Sequence, residues 1–162
     1  VFHKVNFKPG KPVWFGAVER RALSVERSEQ TTDVGVSSSD RSTPHAPRST
    51  LVFGLPGNPV SAMACFELFV RPAMRRMTGE AEAIPVPVTA ALMEQRSYTS
   101  DRPAYWPAWL ERVEEVYRVR PVAWHGSPDL RATTEANAFV ILPPGEHHFR
   151  VGDRVKVLST EY

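Results

Sequence analysis

The chain has 162 residues, enough for one ordinary domain or two small ones, and a formal net charge of +2. Hydrophobic residues make up 42% and charged residues 23%, which is the mixture of a globular protein and excludes a disordered, collagen-like or coiled-coil chain. Because 20 basic residues nearly balance 18 acidic ones, we expect neither a nucleic-acid nor a membrane partner. A single cysteine, Cys65, excludes an internal disulfide framework and a Cys-rich zinc site, so we expect a cytoplasmic protein.

Residues 1–79 are predicted to form part of an α/β domain. Residues 1–19 are strand-like around a Lys8-Pro9-Gly10-Lys11 turn, and since this pattern starts almost at the first residue we expect a piece of a longer chain. Residues 20–50 are rich in Ser and Thr and could contribute little to a core, which predicts a flexible insertion. The apolar run 51–55 predicts a strand buried in a parallel sheet.

A helix should follow this strand. Asn58 is a plausible N-cap and Pro59 suits the first helical position, where a missing N–H costs nothing. Pro72 should kink or restart the helix, and Gly79 should end it. Apolar residues at helical spacing predict its buried face: Met63, Phe66, Val70, Met74 and Met77.

Residues 80–162 are predicted to form a small all-β domain with a barrel-like fold. The prolines in the segment 85–90 predict an edge strand, because proline cannot donate to a ladder. Alternation of apolar and polar residues predicts further strands over 109–113, 116–122, 139–142 and 154–158. Five or so strands in about eighty residues are typical of a small barrel or sandwich.

The turn at residues 8–11 is the first candidate for chemistry. Its Pro-Gly centre predicts a type II turn, with a positive φ at Gly10. Such a turn holds the ammonium groups of Lys8 and Lys11 close together, and an oxyanion between them would turn their repulsion into attraction. The alternative is an exposed turn with two solvated lysines.

The loop 54–61 is the second candidate. A glycine-containing loop between a strand and a helix can aim backbone N–H groups at an anion, and Ser61 could add a hydroxyl. The loop has neither the Walker pattern nor the dinucleotide fingerprint, so an ordinary strand–helix connection is the alternative. Since this loop and the lysine turn belong to one small unit, we expect them to face one shared anion pocket.

Other residues give weaker signals. Cys65 lies beside Phe66 on the predicted helix and is expected to be a buried hydrophobe rather than a nucleophile. His147 and His148 should point to opposite faces of a strand, so they are not expected to share a metal. Aromatic residues interleaved with arginines could stack single-stranded nucleic acid on a barrel, although barrel core or dimer contact explains them better: Tyr105, Trp106, Trp109, Tyr117 and Trp124.

Two proline-glycine motifs give the chain a family resemblance. They are Val5-x-Phe7-Lys8-Pro9-Gly10-Lys11-Pro12 and Phe53-Gly54-Leu55-Pro56-Gly57-Asn58-Pro59-Val60-Ser61-Ala62. With them the chain resembles the molybdopterin molybdenumtransferases, which include the bacterial MoeA proteins and the E domains of gephyrin and its plant relatives. Weaker matches follow in the second half: Arg102-Pro103-x-Tyr105, His125-Gly126-Ser127 and Ala136-Asn137-Ala138-x-x-x-Leu142-Pro143.

The resemblance implies a function and a set of site residues. Family members are transferases of molybdenum cofactor biosynthesis that insert molybdate into adenylylated molybdopterin and release AMP with the help of Mg²⁺. Lys8 and Lys11 would then be catalytic, with Arg102 binding an oxyanion and Thr133 in place of a family serine. The remaining substrate-binding positions would be Pro12, Gly54, Pro56, Gly57, Asn58, Pro59 and Ser61.

The resemblance also implies assembly and metal binding. We expect a homodimer and the molybdopterin adenylyltransferase as a further partner. The family's Gly-rich loop and acidic Mg²⁺ ligands belong to a part of the pterin-binding domain that this sequence does not contain, so no metal ligand is expected here. The alternative to an enzyme is a non-catalytic molybdopterin-binding or protein-interaction module.

Overall fold

The computed structural model describes residues 4–10, 12–20 and 48–161. In this part of the chain the strands are β1 (Trp14–Arg20), β2 (Arg48–Gly54), β3 (Val88–Leu92), β4 (Arg96–Ser100), β5 (Ala104–Val113), β6 (Val116–Pro121), β7 (Ala138–Leu142), β8 (Gly145–Phe149) and β9 (Arg154–Ser159). The helices are α1 (Pro59–Cys65), α2 (Arg71–Met77) and α3 (Leu130–Glu135), and a π-helical turn (Phe66–Val70) joins α1 to α2.

A closed barrel forms the second half of the chain, as the sequence predicts. Its strands follow one another in the order β3, β6, β5, β7 and β9, and β9 closes the ring against β3. The β3–β6 pair is parallel, and the other pairs are antiparallel. The expected edge strand is wrong, because β3 is paired on both sides and Pro85 and Pro87 precede its first residue, Val88.

Strand β7 divides the apolar residues between two cores. Ala138, Val140 and Leu142 point into the barrel, while Phe139 and Ile141 point outward. This alternation follows from the two-residue period of a strand. Outside the barrel, Phe139 lies in a second core that includes residues of α1 and α3, so the helices pack on the barrel wall.

The described residues before position 80 form a two-stranded sheet and an interrupted helix. Strands β1 and β2 are antiparallel, so the expected parallel arrangement of segment 51–55 is wrong, and the predicted α/β description is not confirmed. Val52 and Leu55 are exposed, because a two-stranded sheet cannot cover both faces of its strands. Strand β2 begins at Arg48, inside the range 20–50, and residues 21–47 lie outside the described part.

The helix begins and ends where the sequence predicts. Its first residue is Pro59, the chain passes through the π-helical turn, and α2 restarts with Pro72 in its first turn. At its end, Gly79 has a positive φ of 91° and its N–H donates to the carbonyl of Arg76, while the N–H of Glu80 donates to that of Arg75. These two bonds form a Schellman motif, which satisfies carbonyls that the helix leaves free.

The predicted buried face of this helix is wrong in its second half. Met74 and Met77 are 55% and 70% exposed. A π-helical turn changes the α-helical repeat, so side chains after it no longer continue the face defined before it. The fully buried residues instead lie earlier, at Val60, Ala64 and Cys65.

Candidate oxyanion site

The backbone of Lys8 is fixed beside the start of β5. The N–H of Lys8 donates to the carbonyl of Pro103 at 2.9 Å, and the carbonyl of Lys8 accepts from the N–H of Tyr105 at 2.7 Å. Together these bonds form a parallel bridge between Lys8 and Ala104. A lysine from the first motif is therefore held next to Arg102, which is 94 positions later in the sequence.

Lys8 and Arg102 converge on one carboxylate, that of Asp101. Lys8 Nζ lies 2.8 Å from Asp101 Oδ1, and Arg102 Nη2 lies 2.8 Å from Asp101 Oδ2. Hydrogen bonds from Arg102 and then from Lys8 hold the pKa of Asp101 far below its usual range, and Asp101 in turn raises the pKa of Arg102. Two cations thus face a position that already holds negatively charged oxygens.

Lys8 and Asp101 lie at the surface, whereas Arg102 is largely buried. The side chains of Lys8 and Asp101 are 50% and 62% exposed, while Arg102 is only 19% exposed. The exposed pair of Lys8 with Asp101 contributes little to folding stability. The cluster can therefore exchange its carboxylate for another anion at small cost to the fold.

A pocket of about 380 Å³ opens beside Lys8. This volume is within the range of small-molecule sites. Four aromatic side chains and two small or rigid residues line it together with Lys8 and Ser127: Tyr98, Tyr105, Trp106, Trp124, Pro9 and Ala104. The site thus combines a cation with flat apolar walls, which suits a ligand that carries a planar ring and an anionic group.

The loop before α1 reaches this pocket through Ser127. Asn58 Nδ2 donates to Ser127 Oγ at 3.0 Å, and the N–H of Val60 donates to the Ser127 carbonyl at 3.2 Å. Asn58 occupies the N-cap position with extended backbone, but its side chain makes no capping bond and instead contacts Ser127. Ser127 therefore connects the two motifs, because it lines the pocket with Lys8 and is hydrogen-bonded to Asn58 and Val60.

Most of the other predicted site residues lie away from the pocket or outside the described residues. Thr133 Oγ1 donates to the Leu130 carbonyl of its own helix at 2.6 Å. Lys11 lies outside the described residues, so the predicted turn type and its lysine pair stay predictions. Gly10 does have the positive φ expected of it, 127°. Of the described candidates, only Lys8 lines the pocket, and the others do not: Pro12, Gly54, Pro56, Gly57, Asn58, Pro59, Ser61, Arg102 and Thr133.

Gly57 and Ser61 show two different environments within the loop. A methyl group added to Gly57 would meet nothing within 4 Å, so the backbone there faces open space. Ser61, in contrast, is buried. Of the two, only Gly57 presents backbone to solvent, where a ligand could approach it closely.

Cys65 is buried, as the sequence predicts, and it positions the lysine motif. Burial raises the pKa of its thiol to about 11, so the group is not a nucleophile at neutral pH. Its Sγ donates to the carbonyl of Gly10 at 3.5 Å. A methyl group on Gly10 would lie 2.7 Å from Cys65 Sγ and 2.9 Å from the Phe7 ring, so only glycine fits two residues after Lys8.

Sequence reasoning missed Asp101 and the polar aromatic residues. An exposed aspartate beside an arginine looks like an ordinary surface charge pair, and only the bridge at Lys8 shows its role. Tyr98 and Trp106 were not expected to line a pocket either, yet Tyr98 Oη and Trp106 Nε1 are buried without a hydrogen-bond partner. Ser127 lies within a motif of the family resemblance, which was the signal that could have identified it.

The donors at this site do not fit Mg²⁺. Both oxygens of the one carboxylate present, Asp101, are bonded to cationic side chains, whereas Mg²⁺ requires free oxygen ligands. Within residues 4–10, 12–20 and 48–161, no three His, Cys, Asp or Glu side chains form a group that could hold a metal ion. Nor does any helix of these residues have the length and apolar character needed to span a membrane.

Two domain families match the chain. Residues 1–76 match the family described as "Probable molybdopterin binding domain", and residues 89–160 match "MoeA C-terminal region (domain IV)". A molybdopterin molybdenumtransferase of Staphylococcus aureus is 34% identical over 110 residues, which are 68% of this chain and 26% of that protein. Gephyrin of Dictyostelium discoideum is 30% identical over 165 residues, which are 97% of this chain and 21% of that protein.

Solved structures share the fold. The MoeA protein of Pyrococcus horikoshii matches 98% of this chain and 32% of its own, with a TM-score of 0.62 and 23% identity. A molybdenum cofactor biosynthesis protein from Pyrococcus furiosus matches 98% of this chain and 45% of its own, also with a TM-score of 0.62. The chain spans about a quarter of the length of the two curated relatives. Since residues 1–76 and 89–160 match the two domain families in order and the match to gephyrin covers 97% of this chain, the chain belongs to the molybdopterin molybdenumtransferase family of MoeA and gephyrin.

Proposed function

We propose that the chain provides the oxyanion-binding part of an enzyme that inserts molybdate into adenylylated molybdopterin and releases AMP. The observation that supports it most directly is the convergence of Lys8 and Arg102 on one carboxylate, each at 2.8 Å. Molybdate and the phosphoanhydride of the pterin substrate are both anions, and lysine and arginine are the side chains that bind such oxygens best.

The two cations would stabilise negative charge that develops during the reaction. When AMP leaves, negative charge develops on its phosphate oxygens, and Lys8 and Arg102 stabilise it without having to move into place. The backbone of Lys8 is held by hydrogen bonds to Pro103 and Tyr105, and its ammonium group contacts the Asp101 carboxylate that Arg102 also contacts. We include Lys11 as the second catalytic lysine of the same motif.

The pocket holds the rest of the substrate. Its aromatic walls accept a planar ring, while Ser127 and Asn58 supply polar contacts at the loop. We assign substrate contacts on the loop side of the cleft to Pro12, Gly54, Pro56, Gly57, Pro59 and Ser61, and a hydroxyl contact to Thr133. Mg²⁺ would be held by acidic residues of the remaining pterin-binding domain.

The assembly follows from the family. We propose a cytoplasmic homodimer that receives its pterin substrate from the molybdopterin adenylyltransferase. Residues 1–79 would form the C-terminal half of the molybdopterin-binding domain, and residues 80–162 a barrel domain of the same cleft. This division leaves the second core shared between them, because Phe7 and Cys65 pack with Phe139 and Leu158.

The test is molybdate-dependent release of AMP by the chain joined to the rest of the transferase. Changing Lys8→Ala together with Arg102→Ala should lower the rate at least about 100-fold, because preorganised donors of this kind contribute two to three orders of magnitude. Lys156→Ala together with Arg112→Ala removes the same charges from exposed barrel positions and should leave the rate unchanged. Unchanged turnover in the first double variant would reject the proposal.

A non-catalytic binding module is the second candidate. Its support is that Lys8, Arg102 and the aromatic pocket are features of binding, and they would hold an oxyanion and a planar ring whether or not a reaction follows. This candidate predicts molybdate or pterin binding that depends on Lys8 and Arg102, with no AMP release in any assembly. AMP release by the unsubstituted chain joined to the rest of the transferase therefore distinguishes the two functions.

A further inference from the structure

Asp101 occupies the place where the proposed function requires an oxyanion. Its Oδ1 lies 2.8 Å from Lys8 Nζ, and its Oδ2 lies 2.8 Å from Arg102 Nη2. Arg102 Nε adds contacts of 3.2 Å to both oxygens, and Ser100 Oγ donates to Oδ1 at 3.4 Å. The carboxylate thus makes the bonds that one edge of a bound molybdate or phosphate group would make.

The carboxylate can leave this position. Asp101 is 62% exposed and lies just after the end of β4, and its side chain reaches water by rotation about two bonds. The pair of Asp101 with Lys8 is exposed and contributes little free energy, so a ligand with a higher charge can displace the carboxylate. The low pKa of Asp101 keeps it ionised throughout the physiological range, so protonation does not empty the site.

We propose that Asp101 is a built-in competitor for the oxyanion site, a tethered carboxylate that must swing away from Lys8 and Arg102 before substrate binds. The proposal rests on the proposed function, because it assumes that these two cations bind the substrate anion. Asp101 thereby sets the affinity of the site. It also keeps the two cations paired when no substrate is present.

The test is calorimetric titration of the chain and its Asp101→Asn variant with sodium molybdate and, separately, with inorganic phosphate. Asparagine has the same shape and no charge, so it should release both cations and tighten binding of either anion by roughly fivefold to tenfold, the worth of two ion pairs with an exposed carboxylate. The affinity for both anions should rise by the same factor, because the substitution removes a competitor for the site and changes neither ligand. Their absolute affinities show which oxyanion the site is built for.

A matched control removes a carboxylate elsewhere. Glu115 is exposed and paired with Arg112 at the β5–β6 turn, so Glu115→Gln should change neither affinity. In a Lys8→Met background, the gain from Asp101→Asn should shrink, because one of the two released cations is gone.

Four results would overturn the proposal. Weaker binding by Asp101→Asn would mean that Asp101 orients the cations, and equal binding would mean that it does not compete with the ligand. An undetectable affinity in both proteins would mean that the two cations do not bind a free oxyanion. A gain for one anion alone would also contradict it. If Asp101→Asn does not tighten binding but Lys8→Ala abolishes molybdate binding, only the role of Asp101 as a competitor is rejected. If neither substitution changes molybdate binding, the proposed oxyanion site is rejected as well.

Discussion

The barrel and the β1–β2 pair differ in what covers their apolar side chains. In the barrel each strand is hydrogen-bonded on both sides, and the interior residues are buried. In the described part of the chain β1 pairs with β2 alone, and Val18 on β1 is 54% exposed. The barrel therefore has the contacts for independent stability, whereas the two-stranded sheet depends on what packs against it.

The two regions meet at the candidate site. Lys8 comes from the first region but is fixed by backbone bonds to the residues around the start of β5, a barrel strand. Asn58 is likewise held by Ser127, which lies between β6 and α3. The barrel half of the chain thus positions Lys8 and Asn58, which belong to the first region.

The largest expected difference is between two valines. Val119 is fully buried in the barrel, and Val119→Ala should lower the free energy of unfolding by about 2–3 kcal/mol, because it removes two buried carbon groups and leaves a cavity. Val18→Ala on β1 makes the same chemical change at an exposed position and should cost less than about 0.5 kcal/mol. Denaturant unfolding measures both, and equal losses would contradict the comparison.

A smaller loss is expected at Asn137, which ties β5 to the start of β7. Its Oδ1 accepts from the Leu110 N–H at 2.7 Å, and its Nδ2 donates to the Leu110 carbonyl at 3.0 Å. Asn137→Ala leaves both backbone groups without these partners and should cost about 2 kcal/mol in denaturant unfolding. Thr134→Ala removes one exposed hydroxyl from α3 and serves as the control, with little change expected. If the two variants lose the same stability, this tie between the strands is not needed.

The smallest expected effect concerns pH and Asp129, the N-cap of α3. Its carboxylate accepts from the backbone N–H groups of His125 and Ala132, and the bond from His125 is the main reason that its pKa is lowered. Since the folded pKa lies below the unfolded value, Asp129 contributes stability above about pH 4 that is lost as the pH falls through the folded pKa.

Asp129→Ala should therefore lower the melting temperature by roughly 2–4 °C at pH 7, and less below pH 4. Asp129→Asn keeps an acceptor for the cap without a titrating charge, so most of the loss should be absent. Melting curves from pH 2 to 7 test this, and a loss in Asp129→Ala that does not depend on pH would refute the role of the charge.

The sequence predicts the barrel better than it predicts the first region. Alternating apolar residues locate β5, β6, β7 and β9, because both faces of each strand meet different surroundings. Strands β4 and β8 and the short helix α3 give no such signal, since they are short and largely polar. Segment 51–55 looks like a buried parallel strand because an apolar run alone does not reveal its pairing partner.

The site is predictable only in part. The motifs identify Lys8 and the loop before α1, and the family resemblance adds Arg102. Nothing local indicates that Lys8 lies beside Arg102, because their proximity depends on a bridge between segments far apart in the chain. The bond from Asn58 to Ser127 connects the loop to a residue that lines the pocket, but no residue of 54–61 lines the pocket itself, so the expectation of one shared pocket stays a prediction.

The most direct test of the account is to locate a bound oxyanion. Crystals of the chain soaked in molybdate should show an anomalous molybdenum peak within hydrogen-bond reach of oxygens bonded to Lys8 Nζ and the Arg102 guanidinium group, with the Asp101 carboxylate turned away. A molybdate bound elsewhere, with Asp101 still between the two cations, would contradict it.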